Sequence, residues 1–238
     1  MIVVWWLVGL LALALFVYWT IIIGEGSYFG PWMVRWIYSR GARVYDGVRQ
    51  RVTATDAAEL AGTLRAALLR QPLAPALDVA TGTGRVPLLL AREEWYGGAI
   101  VGLDLTPAML AIAREKAAAR QLGQRIEWQL GSGDDLGRWS DATFGLITCL
   151  EALEYFGRPR RAVREMWRLL VPGGTLIIST WTPRHARKLP GKAWTAAGMT
   201  TFVQALGCIQ IESRPWQPGE YDLVIAVKPA MTSTPAVR

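Results

Sequence analysis

Histidine and cysteine are nearly absent from this sequence. His185 is its single histidine, and Cys149 and Cys208 are its two cysteines among 238 residues. A centre built on several histidines is therefore excluded, and a Ser-His-Asp hydrolase would have to be assembled around His185. Neither cysteine has a second Cys or a His at metal-ligand spacing, which excludes a zinc ribbon, an iron–sulfur cluster and a disulfide scaffold. No metal is expected, and a reducing setting fits best. Internal repeats and low-complexity tracts are also missing, and the stretch Met1 to Ile23 has no Asp, Glu, Lys, Arg or His. The chain as a whole is 52% apolar, 10% aromatic and 19% charged, too hydrophobic for a disordered polypeptide and of a length that suits one domain with an appendage.

The net charge of +7 is unevenly distributed. From Gly24 to Gln71 the balance is +3, from Pro72 to Pro183 it is zero, and from Arg184 onward it is +4. A nucleic-acid binder concentrates Lys and Arg on the working face of its main domain, so the neutral middle argues against a nucleic-acid partner. Basic flanks beside an apolar N-terminus favour a membrane surface instead.

As a helix, Met1 to Ile23 would be roughly 34 Å long, enough for a hydrocarbon core about 30 Å thick. Trp5 and Trp6 near one end and Tyr18 and Trp19 near the other sit where an interfacial aromatic belt would place them. A cleaved signal peptide fits less well, because no basic region precedes the run and Ala12-Leu13-Ala14 falls inside it. Arg35, Arg40, Arg43, Arg49 and Arg51 all follow the span, so the positive-inside rule puts the rest of the chain in the cytoplasm. The expected division is a single transmembrane helix over 1–23, a basic aromatic juxtamembrane segment over 24–55, a catalytic domain over 56–230 and a flexible tail over 231–238. Within the second, Tyr28 to Tyr45 interleaves aromatics with Arg, a composition that suits the headgroup layer of an anionic leaflet or a helix packed on the main domain.

Past a helix expected from Asp56 as N-cap to Arg70, β-type and helical runs alternate. Strands are expected at Ala76–Ala80, Ala99–Asp104, Arg125–Leu130, Phe144–Leu150 and Thr175–Thr180, and helices at Arg85–Arg92, Thr106–Leu122 and Arg160–Leu170. A further helix near Trp194–Leu206 precedes Cys208–Ser213 and Tyr221–Lys228, which can pair antiparallel at a sheet edge. The fold class is α/β: a doubly wound, Rossmann-like, mostly parallel sheet with a C-terminal antiparallel pair.

The first strand runs into Leu77-Asp78-Val79-Ala80-Thr81-Gly82-Thr83-Gly84, and a helix opens near Arg85. Gly82 and Gly84 permit a tight turn and close approach to a ligand, and the helix N-terminus behind them offers free N–H groups. Asp104 ends the second strand twenty residues past Gly84, where a carboxylate can accept from both hydroxyls of a ribose. In a dinucleotide fingerprint a third glycine would stand where Pro87 stands, which counts against a nucleotide-dependent oxidoreductase.

The stretch Leu77–Gly84 resembles motif I of class I S-adenosylmethionine-dependent methyltransferases, typically D-x-G-x-G-x-G. The resemblance continues through Val101–Met109 (VGLDLTPAM), Phe144–Phe156 (FGLITCLEALEYF) and Leu169–Ser179 (LLVPGGTLIIS), in the family's order, and covers Leu77 to Lys228. The form DVATGTG is similar to that of quinone- and sterol-type small-molecule methyltransferases. The resemblance implies S-adenosyl-L-methionine as cofactor. Ala80, Gly82 and Gly84 would pass under its methionine part, Asp78 would hold the loop near its amino group, and Asp104 with Leu105 would meet the ribose side. Ser132, Gly133 and Asp134 would face the adenine, and Leu150 and Glu151 the methyl-transfer cleft. Three positions depart from the family pattern: Ala80 replaces a glycine, Ser132 stands where an Asp often contacts the adenine, and Gly145 where an Asp often opens the fourth strand. Asp134 with Asp135 can also be read as a solvated loop pair, and Glu151 as a helix-start charge.

A sulfonium methyl is already activated, so the reaction needs alignment and a dry pocket more than covalent catalysis. An acidic acceptor would benefit from a base, for which His185 in the loop Thr182–Lys192 is the candidate, a surface histidine being the duller alternative. These residues lead to the expectation of a membrane-anchored methyltransferase acting on a lipophilic acceptor such as a quinone precursor, a polar lipid or an isoprenoid. The rivals are an oxidoreductase and a non-catalytic, methyltransferase-like membrane adaptor.

Overall fold

A computed structural model describes residues 1–217 and 219–230, with the side chains of all of these except 50–56. The apolar N-terminus is helical. Helix α1, Ile2–Tyr18, continues into a π-helical turn over Trp19–Ile23, and the 22 residues of Ile2–Ile23 are long and apolar enough to cross a membrane. Their side chains are almost wholly exposed, which separates this helix from the core helices of the domain.

Helix α2 spans Pro31–Arg70, 40 residues without a break. Pro31 at its first turn lacks only an N–H that would have no intrahelical partner there, so it starts the helix at no cost. The start expected at Asp56 is thus corrected: the backbone is already helical there, and α2 runs through the boundary expected at 55/56. A local cap signal loses to tertiary packing, because Val34 and Ala42 are buried upstream and Leu60, Leu64, Ala67 and Leu68 downstream. The capping side chain of Asp56 and the tail expected over 231–238 lie outside the described residues.

The remaining elements build the doubly wound sheet. They are β1 Ala76–Val79, α3 Arg85–Leu90, β2 Ile100–Asp104, α4 Pro107–Ala119, β3 Ile126–Leu130, β4 Phe144–Cys149, α5 Pro159–Leu169, β5 Leu170–Trp181, α6 Pro183–Ala186, α7 Ala196–Gln204, β6 Gln210–Pro215 and β7 Tyr221–Val227. The strand order is β3-β2-β1-β4-β5-β7-β6. The first five strands pair in parallel, and β7 runs antiparallel to both β5 and β6. Two differences from the expected elements have local causes. Strand β5 begins at Leu170 rather than Thr175, because Leu170 already pairs with Phe144; Val171–Gly174 bulge out of the ladder before pairing resumes between Leu146 and Thr175, with Gly173 at φ +78°. The short α6, not anticipated, is one turn started by Pro183.

Alternation along the strands feeds two cores. Leu77, Val79, Val101, Leu103, Ile147 and Leu176 face α5 and α7, whose Val163, Met166 and Val203 pack on them. Ala76, Ile100, Leu146 and Ile177 face the opposite side, where Leu60, Leu64 and Leu68 of α2 join Val86, Leu88 and Leu90 of α3. Successive residues serve opposite layers because a strand has a period of two, and burial on both faces explains why these strands read as continuous apolar runs.

Strand order reverses between β1 and β4, since the chain winds outward to β3 and then returns across the starting strand. In such sheets the crevice at the carboxyl ends of the strands flanking the reversal is where ligands bind. Replacing Leu64, 2% exposed under this sheet, by Ala is expected to cost about 2–5 kcal/mol of stability. Thermal unfolding followed by circular dichroism measures it; an unchanged midpoint would detach α2 from the core.

Candidate functional site

Four chain segments leave the carboxyl ends of adjacent strands at the point of reversal: Ala80–Gly84 after β1, Leu105 after β2, Gly131–Asp134 after β3 and Leu150–Glu151 after β4. The first two are tied together by Asp104. Its Oδ2 accepts from the Gly82 N–H at 2.8 Å and its Oδ1 from the Thr106 N–H at 2.8 Å. The side chain is 8% exposed, and burial raises its carboxyl above the ordinary range while these N–H groups oppose the rise. Each oxygen has a further lone pair to offer a ligand. Asp78, also buried, accepts from the Thr148 hydroxyl at 2.5 Å, and burial pushes its carboxyl up to about 7.

The glycine loop is shaped by what surrounds it. Gly84 has φ +84°, and a Cβ there would come within 2.6 Å of the Trp128 ring, so glycine is demanded on both counts. At Gly82 an added Cβ would meet no atom within 4 Å, so the loop leaves open space on the cavity side. Ala80 adopts φ +60°, the left-handed region, which costs a residue with a Cβ about 1–2 kcal/mol. The family's glycine at this position therefore has a conformational reason, and Ala80 meets the same demand under strain. Gly145 has a different cause: a Cβ would lie 2.6 Å from Cβ of Gln71 and 2.8 Å from Cβ of Ala74, so an Asp cannot enter where the end of α2 crosses the sheet.

Beyond β3, Ser132 Oγ accepts from the Asp134 N–H at 3.1 Å. Both Asp134 oxygens are engaged, by the N–H groups of Gly157 and Arg158 at 2.8 Å each. Asp134 thus staples its loop to the start of α5 rather than standing as a solvated charge. Ser132, Gly133, Asp134, Leu105, Ala80, Gly82, Asp104, Leu150 and Glu151 all line one cavity of about 90 Å³. A second cavity, of about 570 Å³, opens on the other side of Tyr45, Ala80, Gly82, Leu150 and Glu151, which border both.

Glu151 sits on this dividing wall with φ +54°, its N–H bonded to Ser179 Oγ at 2.6 Å. Its carboxylate pairs with Arg49 of α2 and with Arg85 of α3 at 3.2 Å, and accepts from Gln217 Nε2 at 2.6 Å. It is therefore a largely covered, fully engaged anion, not a helix-start charge. His185 lies elsewhere. Its ring stacks on Trp181 with centroids 6.4 Å apart and its Nδ1 is 3.2 Å from Thr182 Oγ1, and it lines neither of the two cavities.

The roof of the site comes from α2. Val34, Tyr38 and Tyr45 close the smaller cavity, Arg49 reaches Glu151, and Asp46 accepts from Thr83 of the glycine loop at 2.6 Å and from Lys116 at 2.9 Å. None of these was singled out as a site residue from sequence, where the segment is read for its charge. Their spacing, 34, 38, 45, 46 and 49, is that of one helical face and was the available signal.

A family model described as a methyltransferase domain matches residues 77–178. A demethylmenaquinone methyltransferase of Deinococcus radiodurans is 42% identical over 108 residues, 45% of this chain and 43% of that protein. The chain thus matches less than half the length of that relative. Among solved structures, an O-methyltransferase family protein of Burkholderia thailandensis superposes with TM-score 0.64 at 19% identity, over 81% of this chain and 60% of that one. The methyltransferase match thus runs from β1 into β5 and takes in the glycine loop and Asp104. The chain's fold by itself does not name a reaction, since the [4+2]-cyclase SpnF superposes on it with TM-score 0.57 at 19% identity, over 71% of this chain and 82% of that one.

The site yields two expectations. Ala80→Gly relieves the left-handed strain and should raise stability by up to about 1 kcal/mol, read as a higher thermal midpoint. Glu154, buried behind the site with the Tyr221 hydroxyl at 3.2 Å, resembles Asp78 in that burial pushes its carboxyl up to about 7. Both groups bind protons more tightly folded than unfolded. Their stabilising contribution is therefore complete below the ordinary carboxyl values of 3.8 and 4.5 and is lost as pH rises through about 7. The thermal midpoint should fall between about pH 4 and 7, and Asp78→Asn with Glu154→Gln should flatten the fall.

Proposed function

We propose that this chain transfers the methyl group of S-adenosylmethionine to a lipophilic, membrane-associated acceptor. The observation that carries the reading is the glycine loop tied to Asp104 at the point of strand reversal, with open space at Gly82. Asp104 would accept from the ribose hydroxyls, and Leu105, Ser132, Gly133 and Asp134 would flank the adenine. Ala80, Gly82 and Gly84 would run beneath the methionine part, with Leu150 beside the transferable group. Asp78 suits a cationic ligand, because a positive charge nearby draws a half-titrated carboxyl toward ionisation.

When bound, the cofactor supplies an electrophilic methyl on a positive sulfur. The chain's part is to align the acceptor and exclude water, for which the α2 roof and the ion-paired Glu151 serve. His185 lines neither cavity, so a role as base would need an acceptor that extends beyond both.

The acceptor class follows from the N-terminal segments. Ile2–Ile23 would anchor the chain as a single span with its C-terminal side cytoplasmic, in line with the Arg residues that follow. On the outer face of α2, Trp32, Trp36, Val44 and Val48 are exposed beside Arg35, Arg40 and Arg43, and Arg40 lies 3.9 Å over the Trp36 ring. Such a face suits anionic headgroups. The demethylmenaquinone methyltransferase relative favours a quinone precursor among the lipophilic acceptors.

Calorimetry with S-adenosylmethionine tests the cofactor. Asp104→Ala should weaken binding by about 1–3 kcal/mol, and equal affinity in the variant would remove Asp104 from the site. Mass spectrometry of membrane lipids with and without the chain tests the transfer. Cofactor binding with no lipid differing by one methyl group would favour the non-catalytic adaptor.

A further inference from the structure

Glu25 stands two residues past the apolar helix, in a tight turn before α2. Its backbone has φ +45°, left-handed for a residue with a side chain, and Gly26 follows at φ +71°. The Gly26 N–H bonds to the Thr20 carbonyl at 3.1 Å, and a Cβ on Gly26 would press on Met33 and Ile37. The turn is thus held between the foot of the apolar helix and the first turns of α2, and Glu25 is directed inward at the cost of backbone strain.

One oxygen of its carboxylate, Oε2, accepts two phenol hydroxyls: Tyr38 at 2.5 Å and Tyr155 at 2.8 Å. The two rings meet edge to face with centroids 5.5 Å apart. They belong to opposite sides of the same cavity, Tyr38 to the α2 roof and Tyr155 to the turn after β4, and both line it. Burial, and then the Glu25 charge, raises the Tyr38 phenol well above its usual range, so this hydroxyl keeps its proton and donates. Two donors to one carboxylate oxygen are charge-assisted bonds, roughly twice as strong as neutral ones.

With the roof down the cavity measures about 90 Å³, whereas sites for ligands of this size run to about 300 Å³ or more. The α2 roof covers this cavity, and the contacts that hold it down bear on how long a ligand stays there. We propose that Glu25 is a positioning residue, a clasp that joins the α2 roof to the post-β4 turn through Tyr38 and Tyr155. By this bridge the foot of the apolar helix governs closure of the cleft. The ligand part of the inference rests on the reading of the cavity as an S-adenosylmethionine site; the clasp itself does not.

The test uses the full chain in phosphatidylcholine/phosphatidylglycerol nanodiscs. Without ligand, Glu25→Ala should speed amide hydrogen exchange in the stretch Val34–Tyr45 while leaving β1 and β4 protected. With S-adenosylhomocysteine as probe, stopped-flow dissociation should be about tenfold faster in Glu25→Ala, and several-fold faster in Tyr38→Phe and in Tyr155→Phe. Glu25→Gln, which keeps an accepting oxygen without the charge, should fall between wild type and Glu25→Ala. Adding both Phe substitutions to Glu25→Ala should change little further, because all three act through one contact. Unchanged exchange in Val34–Tyr45, or effects on dissociation that simply multiply, would overturn the clasp. Failure of the wild-type chain to bind the probe would instead strike the cofactor reading, and the exchange experiment would still decide on Glu25.

Discussion

The site depends on one carboxylate that two backbone segments share. Asp104 closes β2 and accepts from the Gly82 and Thr106 N–H groups, so the loop after β1 and the start of α4 are held to a common point. A buried carboxylate without such donors would be expensive, and a glycine loop without such an acceptor would have many conformations to lose. Each supplies what the other lacks. Ala80 at φ +60° and Glu151 at φ +54° are strained residues on either side of this point, tolerated because the sheet beneath over-determines them.

Helix α2 carries the second constraint, because its two faces answer to different surroundings. Inward, Tyr38, Tyr45, Asp46 and Arg49 touch the glycine loop, Glu151 and the cavity. Outward, Trp32, Trp36, Val44 and Val48 are exposed, immediately after a helix apolar enough to cross a membrane. A continuous helix with both attachments links the position of the apolar N-terminal helix to that of the cavity roof.

The strands, the glycine loop and Asp104 were legible in the sequence because their signals are local: period-two burial, turn glycines and a carboxylate at a fixed distance along the chain. The antiparallel end of the sheet was legible from the short spacing of its two runs. What was not legible rests on contacts between distant residues. Glu25 meets Tyr155 across 130 positions, and Arg49 and Arg85 converge on a Glu151 whose sequence context suggests a helix start. The boundary expected at Asp56 failed because a good N-cap is worth about 1 kcal/mol, whereas the buried face of α2 on both sides of it is worth several times that. Gly145 shows the reverse case, a departure from the family pattern that only the closeness of Gln71 and Ala74 explains.

The central claim is that the cleft beneath α2 holds S-adenosylmethionine between the ends of β1, β2 and β4. Ultraviolet cross-linking of radiolabelled S-adenosylmethionine to the full chain in nanodiscs, followed by peptide mapping, tests it most directly. The account predicts label in the segment Leu103–Met109 and also in the α2 segment Tyr38–Arg49, with both lost when unlabelled S-adenosylhomocysteine is added. Label confined to other parts of the chain, or competed by NADH and not by S-adenosylhomocysteine, would contradict it.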